Sequence, residues 1–275
     1  MEIFIDEGED LNQILENINK QTGYDFREYR KSTIIRRVKR RMNTVKVPTY
    51  KDYLNVLETK NDEYKNLIDD LTINVTDFFR DPEVFEILEE NVFPQIIDTK
   101  KQINQNNIKV WCIGCATGEE VYSIAISLNE FLLRNTGNFI FSVLGTDIDS
   151  KCIERAISGK YSYSAISKIE NKLLEKYFHQ DDKSCFIKDD IKKFVKFEKH
   201  DLIQDEIQYS FDLILCRNLL IYFLRELQEK VLVKMCNILN QDGFLVLGKS
   251  EALIGCVQGK FKVIDKHWRI YKKGW

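Results

Sequence analysis

Apolar positions in the first 75 residues recur at helical spacing and nowhere alternate as a strand would. Leu11, Ile14, Leu15 and Ile18 keep the i, i+3, i+4, i+7 rule of a helix with one buried stripe. A second helix is expected over residues 24–42, where Ile34, Ile35, Val38 and Met42 fall within roughly 100° of arc. Arg36, Arg37, Lys39, Arg40 and Arg41 take its other side. Shorter helices fit 49–57 and 63–71, so residues 1–73 read as an all-helical domain. The stretch LTINVTDFFR at 71–80 breaks the pattern. Asp81, Pro82 and Glu83 then open a helix running to residue 97: Asp can cap, Pro suits the first turn, and an acid favours the positive helix end.

From residue 108 the chain alternates strand, turn and helix. Strands fit 108–113, 139–145, 193–198, 211–216 and 244–248, followed by a closing pair at 261–264 and 268–271. Helices fit 119–133, 150–158 and 225–239. Such alternation predicts a doubly wound, mostly parallel sheet, here with an antiparallel edge. Residues 159–193 interrupt it: a helical piece at 166–177 leads to a short apolar run, Cys185 to Ile187. That is too long for a simple connection and reads as an insertion with strand of its own. The expected division is 1–73, a linker and helix at 74–107, and a main domain at 108–275 carrying the insertion.

Composition narrows the class. A chain 44% hydrophobic and 31% charged, with 3 Pro, supports a packed core and argues against long disordered tails. A net charge of −2 rules out a polycation coating nucleic acid, so any basic binding surface is local. No apolar run is long enough to span a membrane, and the acidic start MEIFIDEGEDL is unlike a signal peptide. Seven Cys without framework spacing are then expected to be reduced thiols in the cytoplasm. Cys112 and Cys115 form a C-x-x-C without a second pair at metal spacing, and no metal site is expected. His179, His200 and His267 are scattered and receive no role.

Three motifs carry chemistry. In Val110-Trp-Cys-Ile-Gly-Cys-Ala-Thr-Gly-Glu-Glu120, glycines at the end of a strand and the start of a helix let a ligand approach the backbone. The spacing G-x-x-x-G departs from the G-x-G-x-x-G of dinucleotide sites. Glu119 and Glu120 at the helix start would repel a pyrophosphate, whereas the amino acid end of S-adenosylmethionine with its sulfonium would suit them. An ordinary strand–helix turn fits the same residues. Gly145-Thr-Asp-Ile-Asp149 follows the second strand, where an acid can accept hydrogen bonds from both ribose hydroxyls of an adenosine cofactor. Asp147 is the better candidate, while Asp149 also reads as a helix N-cap. In Phe211-Asp-Leu-Ile-Leu-Cys-Arg-Asn-Leu-Leu-Ile-Tyr-Phe223 a buried strand ends in Arg217 and Asn218, with Tyr222 close behind.

Four stretches resemble the CheR methyltransferases, in family order and spacing: TINVTDFFR at 72–80, GCATGEEVYSIAI at 114–126, TDID at 146–149 and CRNLLIYF at 216–223. Gly248-Lys-Ser-Glu251 resembles the family's late strand motif. The resemblance covers essentially the whole chain. It implies a Rossmann-like class I methyltransferase fold with an N-terminal helical domain and a small inserted β-subdomain. The implied activity is transfer of a methyl group from S-adenosylmethionine to glutamate carboxylates of chemoreceptors, leaving S-adenosylhomocysteine.

By that resemblance Asn74, Thr76 and Arg80 line the cofactor and active site, and Gly114 belongs to the cofactor loop. Glu120 and Asp147 hold the methionine-to-ribose part of the cofactor, although the choice between Glu119 and Glu120 stays open. Asp201, Leu202, Arg217 and Asn218 complete the adenosine pocket, with Asp201 standing where the family usually has Asn. Arg80 and Tyr222 are tied to the methyl-transfer centre. Arg36, Arg37, Arg40 and Arg41 are expected to dock the glutamate-rich helical bundle of a receptor cytoplasmic region. The segment HQDDKSCFIKDDIKK at 179–193 lacks the glycine loop with which some family members bind a receptor tether peptide, so no tether dependence is expected. Nucleic acid is disfavoured as partner by the lack of an N-P-P-[Y/F] signature. The rival readings are a methyltransferase with another acceptor and a non-catalytic adaptor that binds cofactor and receptor.

Overall fold

The computed structural model describes residues 3–72, 74–135 and 138–274, with backbone alone for residues 3–7 and 61. Its contacts form two units, one within Met1–Ile73 joined by Tyr222–Gln228, the other within Asn74–Ile221 and Glu229–Trp275. No described helix is long and apolar enough to cross a membrane.

The first unit holds α1 (Ile3–Thr22), α2 (Lys31–Val45), α3 (Tyr50–Thr59) and α4 (Asn61–Leu71). The apolar stripes meet in one core in which Ile14, Ile18, Val38, Tyr53 and Leu67 are all inaccessible to solvent. Full burial of each aliphatic side chain contributes about 1.5–3 kcal/mol. The second helix begins at Lys31, later than the periodicity implied. Residues 24–30 instead form an aromatic turn, with Phe26 edge-on to Tyr29 at 5.0 Å and Tyr29 edge-on to Phe223 at 4.9 Å. Thr49 caps α3 by accepting the Asp52 N–H at 3.1 Å.

The second unit opens with α5 (Pro82–Ile87), a π-helical turn (Leu88–Val92) and α6 (Phe93–Gln102). This continues past the expected end at 97. Pro94 cannot donate to a preceding carbonyl, and the wide turn before it absorbs the defect. There follow β1 (Asn107–Ile113), α7 (Glu119–Asn135), β2 (Ile140–Asp147) and α8 (Ser150–Ser158). The insertion contains β3 (Lys160–Tyr161), α9 (Tyr163–Ile166), α10 (Asn171–Tyr177), β4 (Phe178–Gln180), β5 (Cys185–Ile187) and α11 (Asp189–Lys192). The chain closes with β6 (Val195–Lys199), β7 (Phe211–Cys216), α12 (Arg225–Ile238), β8 (Leu239–Leu247), β9 (Phe261–Asp265) and β10 (Ile270–Lys273).

Seven strands make one sheet in the order β6-β2-β1-β7-β8-β10-β9, and β3-β5-β4 form a separate antiparallel sheet. The pairs β1–β2, β1–β7, β2–β6 and β7–β8 are parallel, and β10 is antiparallel to both neighbours. The expected doubly wound sheet, antiparallel edge and inserted β-subdomain are therefore all present. Strand β7 is buried throughout, as a central strand covered on both faces must be. Its one acid, Asp212, is neutralised by Lys100 Nζ at 2.9 Å and accepts the Lys109 N–H at 2.9 Å. Strand β8 starts five residues earlier than the apolar run, and its pairing with β7 slips register across Asp242 and Gly243. Strand β10 starts later because Asp265 accepts the Trp268 N–H at 2.7 Å and holds a turn there.

Candidate active site

Order along the sheet reverses at β1, whose neighbours are β2 and β7, and in doubly wound folds ligands bind beyond the carboxyl ends of the strands at such a point. Three chain exits converge there. After β1, residues 114–118 turn through positive φ at Gly114 (64°), Ala116 (46°) and Gly118 (92°). The glycines also serve packing. A Cβ on Gly118 would stand 2.9 Å from Ala156 Cβ, and one on Gly114 would stand 3.2 Å from Leu219 Cδ2. After β2, Asp147 is buried, with Oδ2 accepting the Ala116 N–H at 2.8 Å and Oδ1 the Asp149 N–H at 2.9 Å. Burial raises its pKa, and those backbone donors oppose the rise. Asp147 thus ties the loop to the exit of β2, with further lone pairs left on its oxygens for hydroxyl donors. Asp149 caps α8 through the Lys151 N–H at 2.9 Å and accepts Asn74 Nδ2 at 2.8 Å.

The two acids at the start of α7 separate clearly. Glu119 is buried and accepts the Thr117 hydroxyl at 2.7 Å, and burial raises its pKa. Glu120 faces β7, where its Oε2 accepts Arg217 Nη1 at 2.6 Å. The same guanidinium donates Nη2 to Asp81 Oδ2 at 2.5 Å and Nη1 to the Arg80 carbonyl at 3.2 Å. Its side chain is only 2% exposed, and Nε is buried without a partner. Expected on the adenosine pocket, Arg217 has its charge spent on Glu120 and Asp81. Asp81 in turn makes no side-chain cap bond, contrary to the capping role its place before Pro82 implied. It sits at φ 57° and Phe79 at 49°, held in part by Ser123 Oγ, which accepts the Phe79 N–H at 2.9 Å.

Arg80 donates Nη1 to the Val75 carbonyl at 3.3 Å, and Thr76 lies half-buried on the same segment. Asn218, at φ 60°, follows Arg217. Beyond β6, His200 donates its N–H to the Asp147 carbonyl at 2.9 Å, which brings Asp201 and Leu202 beside the exit of β2. Asp201 Oδ1 accepts the Ile203 N–H at 2.8 Å and so caps its own turn. Leu202 is buried. Asn74, Thr76, Arg80, Gly114, Glu120, Asp147, Asp201, Leu202, Arg217 and Asn218 all belong to the second unit. Tyr222 is placed with the helical unit, where its carbonyl accepts the Arg30 N–H at 2.8 Å.

The basic helix needs one correction. Arg41 forks onto Glu63 with two bonds of 2.9 Å and reaches Asp70 at 3.4 Å, at 15% side-chain exposure. It braces the helical core and offers no docking charge. Arg36 and Arg40 are exposed and Arg37 is half-buried. Cys112 and Cys115 are buried, with burial raising both thiols, and no metal-holding cluster occurs among the described residues. Sequence reasoning assigned no role to Glu251, whose buried carboxylate gathers backbone N–H groups at the exit of β8. An acid three residues beyond the glycine that ends an apolar strand was the available signal.

A glycine loop after the first strand, an acid after the second and an acid opening the first helix fit a cofactor with a cationic amino acid end and a ribose. With this sheet order they define the class of S-adenosylmethionine-dependent methyltransferases. Residues 74–270 match the CheR methyltransferase, SAM binding domain, and residues 9–72 match the CheR methyltransferase, all-alpha domain. The chain belongs to the CheR methyltransferase family. It is 32% identical over 254 residues to a chemotaxis protein methyltransferase of Borreliella burgdorferi, covering 90% of this chain and 89% of that one. A chemotaxis protein methyltransferase of Salmonella typhimurium is 29% identical, covering 88% and 83%. An uncharacterized 104.1 kDa protein of Rhodobacter capsulatus is 32% identical over 98% of this chain, which spans 28% of that protein's length.

Proposed function

We propose that this methyltransferase esterifies glutamate side chains on the cytoplasmic helical bundle of chemoreceptors, working in the cytoplasm. The observation that carries the reading is the convergence of Glu120, Asp147 and Arg217 at the switch point, within residues matched by the family's cofactor-binding domain. Bound S-adenosylmethionine supplies a sulfonium-activated methyl group. The glutamate acceptor, with an ordinary pKa of about 4.3, is already anionic at neutral pH, so no general base is required. The acceptor carboxylate would take that methyl group directly, with sulfur keeping the electron pair of the bond broken. The protein's task is to hold the reactants in line, which can supply roughly 7–11 kcal/mol.

In this reading Glu120 faces the amino acid end of the cofactor, Asp147 the ribose hydroxyls, and Asn74, Thr76, Asp201, Leu202 and Asn218 the remaining walls. Arg217 acts indirectly, by holding Glu120 and Asp81. Arg80 and Tyr222 orient the acceptor carboxylate. A single 3.3 Å bond to a carbonyl leaves Arg80 donors to spare for that role. Arg36, Arg37 and Arg40 steer the acidic bundle. The turn between β4 and β5 is closed by Asp181, whose Oδ1 accepts the N–H groups of Lys183 at 2.9 Å and Ser184 at 2.8 Å. This tight turn supports independence from a tether peptide.

The test is methyl transfer from labelled S-adenosylmethionine to purified receptor cytoplasmic fragments, with and without the receptor C-terminus. Base-labile label on the receptor, lost or severely reduced in Arg80→Ala and Tyr222→Phe, is expected. Cofactor binding without receptor label would move the acceptor elsewhere or favour an adaptor. Full turnover in both variants would remove Arg80 and Tyr222 from the reaction centre.

A further inference from the structure

Glu251 is 4% exposed and stands at the carboxyl end of β8, beside the carboxyl end of β7. Its Oε2 accepts the N–H groups of Gly248 at 2.5 Å and Asn218 at 3.0 Å, and its Oε1 accepts the Ile221 N–H at 3.3 Å. One carboxylate therefore pins a residue in the left-handed region, Asn218 at φ 60°, to the exit of the neighbouring strand. The fit leaves no slack. A Cβ on Gly248 would lie 2.7 Å from Asn218 N and 2.7 Å from Glu251 Oε2.

The residue before Asn218 is Arg217, whose guanidinium meets Glu120 at 2.6 Å, Asp81 at 2.5 Å and the Arg80 carbonyl at 3.2 Å. Because Nε has no partner, the aim of this side chain rests on its two terminal nitrogens and on the backbone at 217–218. A displacement of that backbone carries Arg217 with it, and through Arg217 the Glu120 carboxylate and residues 80–81. We propose that Glu251 is a positioning residue for methyl transfer, acting through residues 217–221 and Arg217 to set Glu120 and Asn218 for the cofactor. This rests on the reading of those two residues as cofactor contacts.

Only an ionised carboxylate presents acceptors on both oxygens without a donor. Glu251→Gln keeps the size of the side chain but turns an NH₂ toward at least one of the three N–H groups, whichever way the amide lies. Gly248→Ala disturbs the same contact from the other side while leaving the acid in place. Glu251→Asp keeps the charge and shortens its reach. The full chain and each variant are titrated calorimetrically with S-adenosylhomocysteine. KM for S-adenosylmethionine, KM for receptor fragments, kcat and melting temperature are then measured.

Glu251→Gln and Gly248→Ala are expected to weaken S-adenosylhomocysteine binding tenfold or more and to raise KM for S-adenosylmethionine in parallel. KM for the receptor fragment rises by much less than KM for S-adenosylmethionine, and Glu251→Asp recovers part of the affinity. Wild-type affinity in both Glu251→Gln and Gly248→Ala overturns the proposal, whatever happens to the melting temperature. So does an equal rise in both KM values, which marks a general structural defect. If Glu251→Gln does not fold, Gly248→Ala and Glu251→Asp decide by the same criteria. An unmodified chain that fails to bind S-adenosylhomocysteine refutes the cofactor reading itself, an outcome distinct from variants that bind as well as wild type.

Discussion

Replacing Arg41 by alanine isolates what a basic residue on α2 contributes when it is turned toward the acids of the helical unit. The substitution removes two 2.9 Å bonds to Glu63 and a 3.4 Å contact to Asp70. It leaves Glu63, whose side chain is 5% exposed, with the Tyr53 hydroxyl at 2.8 Å and a long Asn66 contact at 3.5 Å. Breaking one side of a buried pair costs about 3–5 kcal/mol, because the other charge stays buried without compensation. The surviving Tyr53 bond and the partial exposure of Arg41 place the expected loss near the low end, about 3 kcal/mol. Arg40→Ala is the control: Arg40 is 65% exposed and touches Asp70 at 3.5 Å, a geometry worth about 1 kcal/mol or less. Urea denaturation followed by hydrogen exchange in α2–α4 reads the helical unit separately from the sheet. With slopes of about 1–3 kcal/mol per molar urea, Arg41→Ala shifts the midpoint by roughly 1–3 M. Burial works to raise the Glu63 pKa, but Arg41 and Tyr53 bring it below the usual value of 4.5. Its stabilising share is therefore present above pH 4.5 and lost as pH falls through the lower folded value, and this acid-side loss should fade in Arg41→Ala. The triple change Arg41→Met, Glu63→Leu, Tyr53→Phe, which removes the buried carboxylate together with its two strongest partners and leaves Asp70 to Arg40, is expected to recover most of the stability. Equal midpoints for Arg41→Ala and Arg40→Ala would refute the reasoning and return Arg41 to the surface.

Two further outcomes are expected. Arg36→Glu with Arg40→Glu raises KM for the receptor fragment about tenfold and flattens its dependence on ionic strength, with kcat and stability little changed, because exposed charges steer association more than they stabilise a fold; an unchanged salt profile in steady-state assays would place docking elsewhere. Burial lowers the pKa of His200 below 6.5, and nearby Lys234 adds to that against the pull of Asp205. The unfolded chain then binds the extra proton, so stability held above pH 6.5 is lost as pH falls from there toward the folded value. His200→Phe, which keeps a ring edge-on to Trp111, should flatten this slope between pH 5 and 7 in thermal melts, and an unaltered slope would assign the titration to another group.

Much of the fold was legible because its signals are local. Periodicity placed the helical unit, glycines and acids at strand ends placed the switch-point loops, and the polar interruption at 159–193 marked the inserted sheet. The errors fell where a local rule met a distant partner. Residues 24–30 belong to the expected second helix yet pack as an aromatic turn, since Tyr29, edge-on to Phe26, finds Phe223 nearly two hundred residues away. Asp81 precedes a proline as a cap would, but Arg217 claims its carboxylate from 136 positions along the chain. Arg41 shares a helical face with Arg37 and Arg40, and only the approach of α4 turns it into a buried brace.

The sequence by itself determined the class of fold, the loop and acids of a cofactor site and the family they resemble, because each depends on residues within a few positions of one another. Tertiary structure decided which charges are buried or paired and with what. Glu119 and Glu120 are adjacent and chemically identical, yet one is buried against Thr117 and the other is turned toward Arg217. Burial and partner distance set that difference, and both are fixed only when strands far apart in sequence end side by side.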